Sequence, residues 1–232
     1  MSSVLVVVAH PDDEVLGCGG TIARYARDGR PVHVAMLADG IGARLPNAAL
    51  TSADDTAALQ RRRAAAEQAG AILGVASTTF GDFPDNRMDT VPLLEIARAV
   101  EHLVAMYQPA IVLTHHAGDV NIDHRRIHEA VVTACRPQPG HPVRTVLTFE
   151  VASSTEWQFP ASAPVFAPSW FVDISDTLEV QQAALAAYVD ELRPWPHPRS
   201  PEALRDRARW RGASIGVEAA EAFMLGRHIV AR

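Results

Sequence analysis

The sequence predicts an α/β protein: a Rossmann-like, doubly wound, mainly parallel sheet with helices on both faces. Two observations carry that expectation. The aliphatic runs Val4–Ala9 and Ile111–Thr114 show no polar alternation, as strands buried on both faces do not. Strand-like and helix-like segments also alternate along the first two-thirds of the chain, the pattern of βα units. The run from Val4 ends at His10 and has no basic head, so it reads as a first strand and not as a signal peptide. Glu14–Arg27 follows as a helix and Val32–Ala38 as a second strand. Gln60–Leu73, rich in Ala and Arg, is a helix stopped at Gly74. Leu93–Tyr107 is an amphipathic helix feeding the strand Ile111–Thr114. His124–Cys135 reads as helix and Thr145–Val151 as strand. Proline-rich stretches between Pro160 and Pro168, and between Pro194 and Pro201, read as ordered loops around a C-terminal helix pair. The 232 residues contain no repeat or low-complexity linker and are expected to form a single domain over 1–232.

Composition excludes several classes of function. Hydrophobic residues make up 48% and charged residues 21%, which fits a globular chain and not a disordered one. No run of about 18 apolar residues occurs, so no membrane span is expected. Two cysteines, Cys18 and Cys135, cannot frame a disulfide scaffold and fit a reducing, cytoplasmic setting. A net charge of -6 without a basic stripe argues against a nucleic-acid partner. All 21 basic residues are arginine. Without a lysine amine there is neither pyridoxal-phosphate Schiff-base chemistry nor a G-x-x-x-x-G-K-[ST] phosphate loop. Ten histidines leave ample material for metal ligation or acid–base work.

Ligands of doubly wound sheets sit at the carboxyl ends of the strands, so the residues just after Val4–Ala9 and Ile111–Thr114 matter most. The first group is His10-Pro11-Asp12-Asp13-Glu14. Pro11 fixes its own φ and biases His10 toward extended backbone, stiffening the turn. Asp12 or Asp13 could simply cap the next helix. The second group is His115-His116-Ala117-Gly118-Asp119-Val120-Asn121-Ile122-Asp123-His124-Arg125, a βα loop too densely polar for a plain connector. Each histidine alone reads as surface or core. Two His/Asp clusters at two strand ends together supply what a catalytic zinc site needs: three N/O ligands and an open position. Such a metal acidifies water and polarises a carbonyl, while a carboxylate that is not a ligand takes the proton. Adjacent Asp12 and Asp13 can divide that labour.

These residues resemble the PIG-L/LmbE family of zinc-dependent de-N-acetylases. The resemblance rests on Ala9-His10-Pro11-Asp12-Asp13-Glu14, on Leu16-Gly17-Cys18-Gly19-Gly20 and on Asp123-His124-Arg125. It extends through Arg62, Phe83-Pro84-Asp85 and Ala222-Phe223, nearly the whole chain. It implies hydrolysis of an N-acyl group, usually acetyl, from a small-molecule amino sugar of the N-acetylglucosamine type. It implies His10, Asp13 and His124 as ligands of Zn2+, or of another divalent metal, and Asp12 as general base. Arg62, with Arg63 as its fallback, and Asp85 match sugar-contacting positions, and Asp123 matches an orienting aspartate. One departure stands out. Asn121 occupies the place where many relatives carry a histidine; its amide could donate to an oxyanion but cannot protonate the departing amine. Either Asp12 shuttles that proton or another group does, with His116 and His197 as candidates; His116 or Asn121 would hold the oxyanion.

Competing readings are weaker. Gly17-Cys18-Gly19-Gly20 does not satisfy G-x-G-x-x-G and lies a turn into the helix, so small residues for close helix–sheet packing explain it better. Gly212-Ala213-Ser214-Ile215-Gly216 matches G-x-S-x-G but follows a helix-like segment and not a strand. His128, four residues after His124, is a reserve ligand. Cys18 reads as a small buried hydrophobe. Trp157, Trp170, Trp195 and Trp210 read as packing residues that could instead stack on a sugar. An amidase for a larger N-acyl or thiol conjugate, or a non-catalytic sugar- or metal-binding protein, are the alternative functions. Loops 41–53 and 153–169 are expected to shape specificity. The oligomeric state is open, a homo-oligomer included.

Overall fold

The computed structural model describes residues 2–39 and 53–230. Five strands, β1 (Val4–Val8), β2 (Val32–Ala38), β3 (Ser77–Phe83), β4 (Ile111–His115) and β5 (Thr145–Phe149), run parallel. β6 (Trp170–Asp173) and β7 (Ala220–His228) complete the sheet, with β7 antiparallel to both β5 and β6. The order is β3-β2-β1-β4-β5-β7-β6. The chain runs outward from β1 to β3 on one side and from β4 to β5 on the other. The strand order therefore reverses between β1 and β4, which opens a crevice at their carboxyl ends.

Both faces are covered, as the unbroken aliphatic runs require. Val4, Val6 and Val8 pack with Val15, Leu16 and Ile22 of α1 (Asp13–Arg27) and Ala66, Ala69 and Leu73 of α2 (Ala53–Leu73). Leu5 and Val7 pack with Ile96 and Val100 of α3 (Leu93–Tyr107) and Ile127 and Val131 of α4 (Ile122–Ala134). That is the two-residue period of a strand, each phase meeting its own helix layer. α5 (Leu178–Leu185) and α6 (Pro201–Ala213) form the C-terminal helix pair, and Ser200 caps α6 by accepting from the Ala203 amide.

Several elements depart from the sequence expectation. α2 begins at Ala53, seven residues ahead of Gln60. β3 (Ser-Thr-Thr-Phe-Gly-Asp-Phe) has no aliphatic run because it is the half-buried edge of the sheet. β6 is only four residues long, and β7 carries the buried Glu221 in its interior. The C-terminal G-x-S-x-G stretch lies at the end of α6, where Ser214 Oγ donates to the Arg211 carbonyl, so it forms no nucleophile elbow. Loop 41–53 lies outside the described residues, save for the backbone of Ala53.

Helix α1 bends at Cys18 (φ -153°, ψ 25°), and the groups freed by the bend are taken up by distant residues. The Gly20 amide, whose helical partner would be the Leu16 carbonyl, donates to Glu221 Oε1 at 2.9 Å. The Thr21 amide donates to Glu221 Oε2 at 2.7 Å. The Leu16 carbonyl accepts from Arg207, and the Val15 carbonyl accepts from Gln181 Nε2. The remote carboxylate thus serves the second half of α1 as an N-terminal cap. Burial raises the Glu221 pKa to about 7 against these hydrogen bonds. Gly17 and Gly20 let the bent helix approach closely: a Cβ on Gly17 would lie 2.3 Å from the Phe149 ring, and one on Gly20 2.7 Å from Ile174.

Candidate metal centre and active site

The chain leaves β1 through a tight turn in which the Asp13 amide donates to the His10 carbonyl. Asp12 adopts φ 113°, a region that disfavours any side chain with a Cβ. It occupies the N-cap position of α1, yet its carboxylate makes no capping hydrogen bond. Asp12 Oδ2 instead meets Arg199 Nη1 at 3.0 Å. Asp13 Oδ2 accepts the His10 amide at 2.8 Å, which leaves Asp13 Oδ1 buried without a partner. Glu14 is buried beneath, its carboxyl accepting from Tyr188 Oη at 2.6 Å and from the Asp12 amide at 3.1 Å. Burial drives the Glu14 pKa up to about 8.

The loop after β4 brings its residues to the same place. His115 Nε2 accepts the Ala9 amide at 2.9 Å, tying the ends of β1 and β4 together. Its ring lies flat on His124, with centroids 3.9 Å apart and an 8° interplanar angle. His124 presents Nε2 to Asp13 Oδ2 at 3.3 Å and Nδ1 to Asp119 Oδ2 at 3.1 Å. Neither nitrogen of this buried ring makes a well-aligned hydrogen bond. His10 presents Nδ1 to Asp13 Oδ2 at 3.3 Å, and its Nε2 meets Asp85 Oδ1 at 2.9 Å and Asp123 Oδ2 at 3.0 Å. Asp123 is itself fixed by the amides of Asn86 and Met88.

Donor atoms of His10, Asp13 and His124 all lie within 4.8 Å of one another. A divalent metal fits this group on two counts. Ionised carboxylates only accept hydrogen bonds, so Asp85 and Asp123 select the Nε2–H form of His10, and Asp119 selects the Nδ1–H form of His124. In the neutral rings the remaining lone pairs, on His10 Nδ1 and His124 Nε2, then face Asp13. Asp13 Oδ1 and both nitrogens of His124 are also buried polar atoms lacking hydrogen bonds, the chemistry of a ligand set. A second grouping, His10, Asp85 and Asp123, gathers at the Nε2 side of the His10 ring.

Electrostatics follow from burial and mutual contact. Burial opposes charge on His124, but Asp13 and Asp119 outweigh it and raise its pKa to about 9. His10 is raised in the same way, by Asp123, Asp13 and Asp85 against burial. Asp13 is held well below the usual carboxylate range because His124, His115 and His10 overcome its burial. Burial keeps His115 neutral. Asp12 rises to about 6 through burial, with Arg199 pulling the other way.

The remaining residues divide between the cluster and its surroundings. Asp85 lies buried against His10 Nε2, in a place to orient that ring. Arg62 reaches the Pro11 carbonyl and pairs with Glu191 at 3.3 Å, while Arg63 stands over the Phe80 ring. Asn121 caps α4: its Oδ1 accepts the Asp123 amide, and its Nδ2 donates to Asn86 Oδ1. His116 Nε2 bonds to the Pro164 carbonyl at 2.9 Å. His128 Nδ1 donates to the His115 carbonyl and stands outside both donor groups. His197 Nδ1 accepts the Arg199 amide, and the half-exposed Trp157 meets that ring edge-on. Cys18 and Cys135 are buried free thiols. Gly118, Thr155, Phe159, Pro164 and Phe166 line a neighbouring cavity of about 210 Å³. Sequence reasoning missed Arg199, whose only local signal is its place before the Ser200-Pro201 helix start, and it missed the separate parts of His115 and Asp119.

A histidine–carboxylate cluster at the switch point of a doubly wound sheet, with a strained aspartate beside it, has the donor set of a metal-dependent enzyme site. Residues 5–135 match the family model described as PIG-L, GlcNAc-PI de-N-acetylase. The chain is 30% identical to the 1D-myo-inositol 2-acetamido-2-deoxy-alpha-D-glucopyranoside deacetylase of Mycobacteroides abscessus, covering 82% of this chain and 81% of that protein. The N,N'-diacetylchitobiose deacetylase of Pyrococcus horikoshii superposes with a TM-score of 0.75 at 21% identity, covering 97% of this chain and 84% of that one. The 4-carboxy-2-hydroxymuconate hydratase of Pseudomonas putida KT2440 superposes with a TM-score of 0.77 at 23% identity, covering 100% and 99%. The likeness to a hydratase shows that this architecture alone does not fix the reaction. The chain belongs to the PIG-L family.

Proposed function

We propose that this protein is a zinc-dependent hydrolase that removes the N-acetyl group from a small amino sugar of the N-acetylglucosamine type. The observation that carries the reading is the convergence of His10, Asp13 and His124, with the Asp12 carboxylate alongside and paired with Arg199 instead of with any of them. His10, Asp13 and His124 would hold the metal, which when bound supplies Lewis-acid polarisation of the amide carbonyl and acidifies water. Asp12 takes the proton from the attacking water and delivers it to the departing nitrogen, releasing acetate and a free amine. In this reading one carboxylate serves both steps, since His116 Nε2 is engaged on the Pro164 carbonyl and His197 Nδ1 by the Arg199 amide. Arg199 pins the Asp12 carboxylate. Asp85 and Asp123 hold the His10 ring, and Arg62 borders the turn at Pro11, where it can meet the sugar.

The segment 153–169 and the cavity beside it support its part in substrate choice. A single domain over 1–232 and a cytoplasmic setting belong to the same reading; both cysteines are free, and among the described residues no helix is long and apolar enough to cross a membrane. The test is Asp12→Asn, assayed for bound zinc and for new primary amine across a panel of N-acetylamino sugars. The expected result is full metal content with activity down about 100-fold or more. Full metal with most activity retained removes Asp12 from the base role. Release of a longer acyl chain in place of acetate would make the enzyme an amidase of larger conjugates.

A further inference from the structure

Asp119 lies in the loop between β4 and α4, fully buried, and both oxygens of its carboxylate are engaged. Oδ1 accepts the Asn121 amide at 2.8 Å and the Ser154 hydroxyl in a very short contact. Oδ2 accepts the Thr155 hydroxyl at 2.7 Å and stands 3.1 Å from His124 Nδ1. Three hydrogen bonds shared over both oxygens fix the orientation of this carboxylate. The Asn121 bond is a local turn contact of the kind that aspartate makes in many loops. The two hydroxyls are not local: they come 35 and 36 residues later, from the segment after β5. Thr155 is fixed in turn, its Oγ1 accepting the Val151 amide at 2.8 Å. A loop aspartate needed only for its turn would require no such bracing from the next strand's connection.

We propose that Asp119 is the positioning residue of His124, and that Ser154 and Thr155 lock its carboxylate so that the ring is held with Nδ1 toward Asp119 and Nε2 toward Asp13. The inference rests on the reading of His124 as a metal ligand. It extends that reading to three residues that have no place in the ligand set, and it joins the 153–169 segment to the metal centre through two hydroxyls.

The test measures zinc affinity by competition with a chromogenic chelator, and the His124 tautomer by 15N–1H long-range correlation spectra of the zinc-loaded protein. Unfolding midpoints are recorded alongside. Asp119→Asn is expected to weaken zinc about 10- to 100-fold, the range found when a ligand histidine loses its orienting carboxylate. It should also lower the share of the Nδ1–H form. Ser154→Ala removes a single hydroxyl and should weaken zinc in the same direction by less. Thr155→Val should do likewise, while Thr155→Ser, which keeps the hydroxyl, should restore wild-type affinity. If Asp119→Asn fails to fold, the Ser154 and Thr155 variants decide the matter. Wild-type affinity and tautomer in these variants, with His124→Ala still weakened, overturn the positioning role alone. Wild-type affinity in His124→Ala overturns the ligand assignment and the inference with it.

Discussion

Gly17 tests whether the glycines after the first strand are packing residues. A methyl group on Gly17 would lie 2.3 Å from Phe149 Cδ2 and 2.5 Å from Cε2, where ordinary contact begins at 3.4 Å. The ring must therefore retreat by about 1 Å in a core close-packed on all sides. Phe149 cannot move freely, since it is fully buried in β5 and its edge meets His115 at 5.3 Å. Overpacking of this kind costs about 1–3 kcal/mol, and a displacement this large belongs near the top of that range. Replacing glycine by alanine in a helix returns about 1 kcal/mol. Gly17→Ala should thus destabilise by about 2 kcal/mol, lowering the urea midpoint by about 1 M if the slope is near 2 kcal/mol/M. The decisive experiment is the cycle with Phe149→Leu, whose smaller side chain makes room. The alanine should then cost little or nothing, a coupling of about 1–3 kcal/mol. An equal deficit in both backgrounds, or a Gly17→Ala protein as stable as wild type, refutes the packing argument.

Three further outcomes follow from the same structure. The Glu221 pKa is raised from 4.5 to about 7, so the folded state binds more protons than the unfolded one between those values. Its contribution is most favourable below pH 4.5, declines as pH rises toward 7, and is lower by about 3 kcal/mol above that. Urea midpoints at pH 5 and pH 8 should therefore fall more in wild type than in Glu221→Gln, and parallel changes would contradict this. Arg199→Met removes the cation from the largely buried Asp12 and should cost about 3 kcal/mol, much of it recovered in the double variant Arg199→Met/Asp12→Asn; denaturant titration of the four proteins checks it. Stripping the protein with a chelator should abolish deacetylation. Zinc restored at about 100 times its dissociation constant should raise stability by about 2.7 kcal/mol, and a thermal midpoint that ignores zinc would count against the site.

Legibility in the sequence tracked locality. β1 and β4 are aliphatic because both faces are covered, and their ends announce the site with consecutive ionisable groups. His10, Asp12, Asp13 and His124 are readable for that reason. β3 was hidden because an edge strand need not be apolar, and β7 because Glu221 looks like a surface residue until the bend in α1 supplies its two amide partners. Arg199 lies 187 residues from Asp12, and no spacing rule connects them. Asp119 stood in plain view among the loop's polar residues, but two of its partners are hydroxyls that only the packing of neighbouring strand ends brings near.

The bland account of Asp12-Asp13-Glu14, an acidic start to a helix, does not survive the geometry. A capping aspartate relaxes into extended backbone and bonds the amides of the first turn. Asp12 does neither: it holds a positive φ, costing about 1–3 kcal/mol, and gives its carboxylate to Arg199. Asp13 turns back to the His10 amide. Glu14 is buried with its carboxyl held by Tyr188 and the Asp12 amide. Asp12 thus forgoes the capping bond that would stabilise α1 most cheaply, and Asp13 and Glu14 are buried instead of facing water. Burying three acids beside three imidazoles adds a desolvation cost that apolar side chains would avoid. A sequence bears such costs where the arrangement itself is needed, and here it sets the Arg199-bound carboxylate of Asp12 beside the His10, Asp13 and His124 cluster at the mouth of the sheet.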